Sequence, residues 1–382
     1  MILNIKILIK EFLFLLIDLC IFKNKSINKK TILIVRLDAI GDYILFRNFI
    51  ECLQSSKEYA EYNITLCGNI AWQPIAKELD DKFIDNFIWI NRSSFNRNLL
   101  YRYKKLKELS LLGYEVIFSP TYSREFFFND NIIKVVSAWS KIGSSGNTAN
   151  MPNWQKKISD KYYTKLLPAS DDIVFEFNRN KEFFEYLLKK KLYINKPNII
   201  LNNKMILHNI ADDYCILFIG ASHESRKWNI EKFAIIAQYL QKRYNQKIVL
   251  CGATEDLNNA IKFKEYFSGD YIDLVGKTSL LELLYLIKGT SLLITNETSC
   301  HHMAVALNVR KIIVIYNGSH YGRFIPYPIG TIANYSVVSH PDITKDLLKY
   351  KTISNKYGYK STLIIDEITT SSVIKAIDEV LE

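Results

Sequence analysis

Short apolar runs alternate with segments of helical periodicity through the first half of the chain. The strand-like runs are 31–36, 63–67, 87–90 and 115–119, and the helix-like stretches between them are 44–53, 70–79 and 98–112. Strands buried on both faces of a parallel sheet are near-continuous apolar runs, whereas amphipathic helices repeat apolar residues every three or four positions. This alternation predicts an α/β fold with a doubly wound sheet.

The second half repeats the same alternation. Its strand-like runs are 214–219, 247–251, 271–275, 292–294 and 311–316, and its helix-like stretches are 175–191, 230–240, 257–267, 280–287 and 370–381. A polar stretch with Pro197, residues 195–209, is the best candidate for a linker. We therefore predict an N-terminal segment at 1–30, a first domain at 31–205 and a second domain at 206–382.

The N-terminal segment is strongly apolar from Ile5 to Phe22 and is flanked by lysines. Glu11 and Asp18 interrupt a run that is already shorter than the roughly 20 residues a bilayer needs, so we do not expect a spanning helix. No small-residue cleavage site follows, which disfavours a signal sequence. The apolar residues that share one helical face are Phe12, Leu15, Leu16 and Leu19. They predict an amphipathic helix that lies on the inner membrane surface or packs on the domain.

Charge and cysteine content narrow the class of partner. The chain has 50 Lys and Arg against 39 Asp and Glu, a net charge of +11, which favours an anionic partner such as a nucleotide, a phosphorylated glycan or an acidic membrane surface. Its basic residues are scattered, without zinc-finger spacing or a basic recognition helix, so we expect no nucleic-acid partner. The 6 cysteines lie far apart, several within apolar runs, as in a cytoplasmic protein with reduced thiols.

The first strand-to-helix turn carries two carboxylates. Asp38 and Asp42 follow the apolar run 31–36, and Gly41 is expected to permit a tight turn before the helix. Because ligands of such sheets bind at the carboxyl edge, Asp42 is a candidate for chemistry there. The alternative is that Asp42 only caps the helix, as Asp often does.

Residues 120–160 are rich in aromatic and small polar side chains, which predicts loops beside a binding site. Tyr122 and Arg124 stand at the start of this stretch, and together with Asp38 we take them as candidate acceptor-side residues.

A second strand-to-helix turn, at 292–308, has the geometry of a phosphate site. Leu292 to Ile294 form a strand, a short polar turn follows, and helical spacing resumes from Met303. Such a turn aims backbone N–H groups and the positive end of the helix dipole at an anion. The basic pair Arg226 and Lys227 follows another strand and would add positive charge.

Two nucleotide-binding motifs are absent. The tetrapeptide at 276–279, Gly-Lys-Thr-Ser, imitates half a P-loop, but Tyr271 stands where the first glycine is required. Thr278 and Ser279 are better explained as caps of the helix that follows. Neither predicted domain opens with Gly-x-Gly-x-x-Gly, which argues against a dehydrogenase.

Five spaced stretches together resemble glycosyltransferase family 9, the ADP-heptose:lipopolysaccharide heptosyltransferases. They are ILIVRLDAIGD at 32–42, GASHESRKW at 220–228, VLCGATED at 249–256, LVGKTSLLELLYLI at 274–287 and NETSCHHMAVAL at 296–307. The resemblance implies the GT-B fold, two Rossmann-like doubly wound domains facing across a cleft. It also implies that the C-terminal helix, 366–382, returns to the N-terminal domain.

The resemblance assigns roles to particular residues. Asp42 stands at the position of the family's general base, which takes the proton from the acceptor hydroxyl. The resemblance places Arg226, Lys227, Thr298 and His302 at donor-binding positions. The full set of candidate donor-binding residues is Ser222, Arg226, Lys227, Glu297, Thr298, Ser299 and His302. Two of these depart from the family, whose Asp-Ser/Thr-Gly is Glu297-Thr298-Ser299 here, so a different nucleotide sugar or donor pose is an open alternative.

The resemblance implies an inverting glycosyltransferase of the cytoplasm or the inner membrane face that uses a nucleotide sugar and a lipopolysaccharide or related glycan. We expect no metal, because the chain has no Asp-x-Asp motif and the adjacent His301 and His302 should point about 100° apart on a helix. A non-catalytic binder of nucleotide sugars or glycans that keeps the fold is the alternative.

Overall fold

The computed structural model describes residues 2–24, 26–201, 210 and 213–382, with residues 2–7 described by their backbone only. The chain forms two compact units. Unit 1 comprises Met1–Asp171 and Arg179–Tyr193, and unit 2 comprises Asp172–Asn178 and Ile194–Glu382. The predicted boundary at 205 and 206 lies outside the described residues.

Unit 1 is built on a parallel sheet with the strand order β3-β2-β1-β4-β5-β6. The strands are β1 Asn28–Arg36, β2 Asn63–Asn69, β3 Asn86–Ile90, β4 Gly113–Ser119, β5 Ser137–Ser144 and β6 Lys165–Leu167. Ile32, on the central strand, lies beside Ile64 of β2 and Val116 of β4. The four predicted strands of this domain are confirmed, and their apolar runs form the middle of the sheet.

The helices of unit 1 flank this sheet. They are α1 Ile2–Leu19, α2 Ile40–Phe46, α3 Asn48–Gln54, α4 Gln73–Asp80, α5 Arg92–Arg97, α6 Leu99–Ser110, α7 Asn129–Val135, α8 Asn153–Ser159 and α9 Glu176–Leu188. The prediction that 120–160 consists of loops is wrong, because α7, β5 and α8 fall within it. The strand β5 was missed since serine and lysine interrupt its apolar positions, and only its pairing with β4 and β6 defines it.

Unit 2 repeats the design with the strand order β12-β11-β10-β7-β8-β9, all parallel. The strands are β7 Tyr214–Phe218, β8 Lys247–Cys251, β9 Tyr271–Asp273, β10 Thr290–Asn296, β11 Ile312–Tyr316 and β12 Tyr335–Ser339. Its helices are α10 Ile230–Tyr244, α11 Leu257–Tyr266, α12 Leu280–Gly289, α13 Ser299–Ala306, α14 Pro341–Thr344, α15 Tyr350–Tyr357 and α16 Thr370–Leu381.

Two helices of unit 2 begin at the capping residues that the sequence predicts. Asn229 caps α10 by accepting from the Glu231 N–H at 2.9 Å, and Ser279 forms a capping box with Glu282 at the start of α12. Ser279 therefore serves a helix terminus, as predicted for the segment that imitates a P-loop.

Residues 172–178 join unit 2 although they precede a segment of unit 1. The Glu176 N–H donates to the Arg323 carbonyl at 2.6 Å, and the rings of Phe175 and Tyr327 lie 4.6 Å apart. The chain thus passes from one unit to the other within α9, a crossing that no local pattern indicates.

The C-terminal helix packs within unit 2. Val373, Ala376 and Ile377 of α16 are buried in the same core as Phe233 of α10, and Asp378 accepts hydrogen bonds from two tyrosines of α10. The apolar face of this helix therefore fills the core of unit 2, and its expected return to the N-terminal domain stays a prediction.

The helix α1 docks on unit 1 through one face. Phe14 is 1% exposed, with its ring 5.5 Å from that of Phe127 and 4.0 Å below the Arg102 guanidinium. The Asp18 carboxylate is buried and accepts from Asn131 at 2.6 Å and from Lys134 at 3.1 Å. Among the described helices, α1 included, none is both long and apolar enough to cross a membrane.

Replacing Phe14 by Ala should lower the free energy of unfolding by about 3–5 kcal/mol, because the change leaves a cavity under Arg102. The matched control is Phe12→Ala, since Phe12 lies on the same helix but is 59% exposed. We expect that control to lose under about 1 kcal/mol in urea unfolding. Equal losses in the two variants would contradict the docked face assigned here.

Candidate functional site

The carboxyl edge of the unit 1 sheet carries Asp42 in the first turn of α2. Ala39 occupies the N-cap position, so Asp42 lies three residues further on, in the first helical turn. Gly41 is also a helical residue of α2, which corrects its expected place in a tight turn. The Asp42 side chain is 21% exposed. Its position is thus compatible with a chemical role at this edge.

A buried arginine lies between the two candidate carboxylates. Arg36, the last residue of β1, is 1% exposed, and its Nε lies 2.7 Å from Oδ2 of Asp38. Its Nη2 lies 4.0 Å from Oδ1 of Asp42, and its Nη1 donates to Oδ1 of Asn180 at 2.7 Å. Sequence reasoning missed Arg36. A basic residue that ends an otherwise apolar strand was the signal that could have identified it.

Asp38 is held by several neighbours. Its Oδ2 accepts from the Thr121 hydroxyl at 3.1 Å, in addition to the ion pair with Arg36. Its backbone carbonyl accepts from Asn69 at 3.2 Å and from the Trp72 indole at 3.1 Å. Asp38 therefore fixes the loop between β1 and α2, which is a structural role.

A second cation lies at the same edge. Arg92 donates to both oxygens of Glu125, at 2.6 and 2.9 Å, and to the Leu37 carbonyl at 3.3 Å. Burial lowers the pKa of Arg92, but Glu125, Asp38 and Asp42 outweigh burial and raise it. The carboxylates thus share this edge with two arginines, and neither arginine was singled out from the sequence.

The other two candidate acceptor-side residues lie inside unit 1. Arg124 is fully buried, with its guanidinium paired to Asp160, 3.9 Å from Asp130 and 4.9 Å from the Tyr163 ring centroid. Tyr122 is also buried, and its hydroxyl donates to the Ser170 carbonyl at 3.2 Å. A buried arginine between two carboxylates is a structural element, so the assignment of Arg124 to an acceptor is corrected.

In unit 2, the turn from β10 to α13 has the predicted strand, polar turn and helix. Asn296 ends β10, where its amide donates to the Ile219 carbonyl at 2.9 Å and its Oδ1 accepts from the Trp228 N–H at 3.1 Å. Thr298 caps α13 by accepting from the Cys300 N–H at 3.2 Å, and Ser299 is the first helical residue. Asn296 therefore ties this turn to the segment that carries the basic pair.

Arg226 lies beside the same turn and is already paired. Its Nη1 lies 2.7 Å from Oε2 of Glu297, and its Nη2 donates to the Ser222 hydroxyl. Burial raises the pKa of Glu297, while the ion pair with Arg226 acts in the opposite direction. The structure thus brings together three of the predicted donor-binding residues, Ser222, Arg226 and Glu297.

Lys227 is paired with a different acid. Its Nζ lies 2.9 Å from Oδ1 of Asp256 and 2.6 Å from Oε1 of Glu224. Asp256 is buried, and its Oδ2 accepts from the Ala253 N–H at 2.9 Å. Asp256 was not predicted as a site residue, although it lies within the stretch 249–256 that resembles the family.

His302 and His301 are buried within unit 2. The Nδ1 of His302 lies 2.8 Å from the Tyr327 hydroxyl. The two imidazole centroids lie only 3.9 Å apart, which corrects the expectation that adjacent helical residues point far apart. Burial lowers the pKa of His301 to about 4 and that of His302 well below 6.5. Both rings are therefore neutral at pH 7.

Across residues 2–24, 26–201, 210 and 213–382, no group of three or more His, Cys, Asp or Glu side chains is arranged to hold a metal ion. The cysteines in these ranges are all free, and four of them are buried: Cys67, Cys215, Cys251 and Cys300.

The family assignment follows from comparison with known proteins. Residues 132–351 match the sequence profile described as glycosyltransferase family 9 (heptosyltransferase). The chain belongs to this family and is a glycosyltransferase. Lipopolysaccharide heptosyltransferase 1 of Campylobacter coli is 25% identical over 370 residues, covering 91% of this chain and 98% of that protein.

Solved structures share the GT-B fold of this chain. The family 9 glycosyltransferase of Veillonella parvula DSM 2008 has a TM-score of 0.68 at 21% identity, covering 93% of this chain and 98% of its own. The E. coli heptosyltransferase WaaC with ADP-2-deoxy-2-fluoro heptose has a TM-score of 0.67 at 15% identity, covering 91% and 99%. The predicted fold class, two doubly wound parallel domains of the GT-B type, is confirmed.

The lowered pKa of His301 predicts a pH dependence of stability. Its folded-state pKa is about 4 against an ordinary 6.5, so between these values the unfolded chain binds more protons and stability falls as the pH falls. In urea unfolding at pH 7 and pH 5, His301→Gln should lose about 2 kcal/mol less than the unsubstituted protein.

The matched control is His223→Gln, because His223 is exposed. It should keep the full pH dependence. If His301→Gln and the unsubstituted protein lose the same free energy between the two pH values, His301 is not kept neutral by burial.

Proposed function

We propose that this glycosyltransferase is an inverting, metal-independent heptosyltransferase. It transfers a heptose or a related sugar from an ADP-heptose-like nucleotide donor to lipopolysaccharide or another membrane-linked glycan, at the cytoplasmic face of the membrane. The family assignment supports the reaction type. The Campylobacter coli relative, a lipopolysaccharide heptosyltransferase, supports the acceptor class, and the WaaC structure with an ADP-heptose analogue supports the donor class.

The proposal assigns proton transfer to Asp42. The acceptor hydroxyl oxygen forms a bond to the anomeric carbon while the bond from that carbon to the diphosphate breaks, and the hydroxyl proton passes to the Asp42 carboxylate. A single displacement of this kind inverts the anomeric centre. General-base catalysis typically contributes about 10²–10⁴-fold in rate.

One observation carries the choice of Asp42 over Asp38. The Asp38 carboxylate is bound to Arg36 at 2.7 Å and to Thr121 at 3.1 Å, whereas Arg36 approaches Asp42 only to 4.0 Å. Asp42 lies in the first turn of α2 with its side chain 21% exposed, at the carboxyl edge where ligands of such sheets bind. This difference supports Asp42 as the base and Asp38 as a residue that positions the loop.

The proposal assigns the donor diphosphate to the N-terminus of α13 and to Arg226. Negative charge grows on the diphosphate as the glycosidic bond breaks, and a helix N-terminus with a cation stabilises it. Thr298 and Ser299 lie at that terminus, and Arg226 is 2.7 Å from Glu297 in the same turn. Protein groups supply the positive charge in this mechanism, and no metal takes part in it.

The first test is Asp42→Asn, which keeps the shape of the side chain and removes its basicity. The rate of transfer in a single turnover, with ADP-heptose and acceptor bound, should fall by about 10²–10⁴-fold. ADP affinity and thermal stability should stay nearly unchanged. A rate loss below about tenfold would assign the base to another carboxylate, with Asp38 the next to change.

This assay includes EDTA throughout. Turnover by the unsubstituted protein under that condition is expected, and turnover that required added Mg²⁺ would refute metal independence. ADP-heptose binding without turnover at any acceptor would favour the non-catalytic alternative.

A second test separates the two members of the Arg226–Glu297 pair. Arg226→Met should weaken ADP binding at least about tenfold, since it removes a charged hydrogen bond to phosphate. Glu297→Gln should keep or strengthen ADP binding, because it frees Arg226 from a competing carboxylate. Calorimetric titration with ADP measures both.

Arg226→Met alone leaves the buried Glu297 unpaired, so the double variant Arg226→Met with Glu297→Gln shows whether the loss survives without that charge. Lys375→Met, on the exposed surface of α16, is the control. Unchanged ADP affinity in both Arg226 variants would mean that this arginine only neutralises Glu297.

A further inference from the structure

From residue 8 to residue 19, the helix α1 is apolar on two opposite faces, and one of these faces packs on the rest of unit 1. The inner face, with Phe14, Ile17 and Asp18, packs on α6, α7 and the segment around Phe127. The opposite face carries seven large apolar side chains that are between 36% and 85% exposed, which we name the outer stripe: Leu8, Ile9, Phe12, Leu15, Leu16, Leu19 and Phe22. A contiguous apolar surface of this kind indicates a binding surface.

The spacing of the outer stripe is that of one helical face. Leu8, Phe12, Leu15 and Leu19 follow one another at intervals of three or four residues, and Phe22 continues the row past the end of the helix. The row spans about 20 Å at 1.5 Å per residue. This is long enough to lie in a membrane interface.

The charges around the outer stripe have one sign. No acidic side chain belongs to the stripe, because Asp18 is buried against Asn131 and Lys134, and Glu11 is half-buried. Lys23, which directly follows Phe22, is exposed, and so is Lys29 near the start of β1. Lysines beside an apolar face add attraction to anionic lipid.

We propose that the outer stripe of α1 binds the surface of an anionic membrane, with the helix lying flat between the headgroups and unit 1. A second copy of this chain fits the surface less well, because each copy has a net charge of +11 and the stripe offers no acid to receive the lysines of the other. The proposal does not depend on the identity of the donor or the acceptor, since lipid alone is the ligand.

Deleting the N-terminal segment cannot test this surface, because the same helix buries Phe14 in unit 1. Substitutions confined to the outer stripe can. The full-length protein should co-sediment with vesicles of phosphatidylcholine and phosphatidylglycerol, and less with phosphatidylcholine alone. Phe12→Glu with Leu19→Glu should weaken binding to the anionic vesicles at least about tenfold, since each change removes a large apolar side chain from the interface.

The matched control is Ile261→Glu, which places the same charge on an exposed apolar position, 63% exposed, of α11 in unit 2. It should bind vesicles as the unsubstituted protein does. Lys23→Ala with Lys29→Ala should reduce binding to anionic vesicles and leave the weaker binding to phosphatidylcholine unchanged.

Three results would overturn the proposal. They are no vesicle binding by the unsubstituted protein, equal binding by the Phe12→Glu, Leu19→Glu variant, and equal loss in the Ile261→Glu control. Light scattering tests the alternative that the stripe binds a second copy of this chain. If the unsubstituted protein is a dimer that does not bind vesicles, and only the Phe12→Glu, Leu19→Glu variant is a monomer, the stripe serves self-association. Transfer to a water-soluble acceptor should be the same in the stripe variant, which keeps this test separate from that of Asp42.

Discussion

The buried guanidinium of Arg36 is the constraint on which the carboxyl edge of unit 1 depends. A cation removed from water is stable only when its donors are paired, and removing one partner of a buried pair costs about 3–5 kcal/mol. The charge of Arg36 is paired with Asp38, whose Oδ2 lies 2.7 Å from Nε, and its Nη1 donates to Asn180 at 2.7 Å. The Asn180 amide also donates to the Leu45 carbonyl, so the side chain of Asn180 connects β1, α2 and α9. The place of Asp42, 4.0 Å from Arg36, follows from this arrangement.

Unit 2 uses paired charges in a different way. Arg226 and Lys227, the cations expected to meet a diphosphate, are paired with Glu297 and Asp256. A diphosphate must then compete with the Glu297 carboxylate for the Arg226 guanidinium. A neutral ligand would gain no ion pair by displacing that carboxylate. Glu297 is one methylene longer than the Asp usual in the family, which gives it the reach to hold Arg226 while Asn296 fixes the turn.

The N-terminal helix shows how two apolar faces of one element can meet different surroundings. Sequence periodicity left two alternatives open, packing on the domain or lying on a membrane. The structure assigns packing to the face of Phe14 and leaves Phe12 and Leu19 exposed. Since residues two apart on a helix lie on nearly opposite sides, one short segment can supply both surfaces.

The sequence by itself determined the class of fold, most of the strands, and the two turns at which Asp42 and Thr298 lie. It could do so because burial of a strand or a helix face imposes a periodicity that neighbouring residues carry. The tertiary structure alone decided the partners of the buried charges. Arg36 meets Asn180, which is 144 residues away along the chain, and the predicted acceptor residue Arg124 is enclosed by acids of α7 and of the turn after α8. Such pairings depend on which segments the sheets bring together, and no local pattern records that.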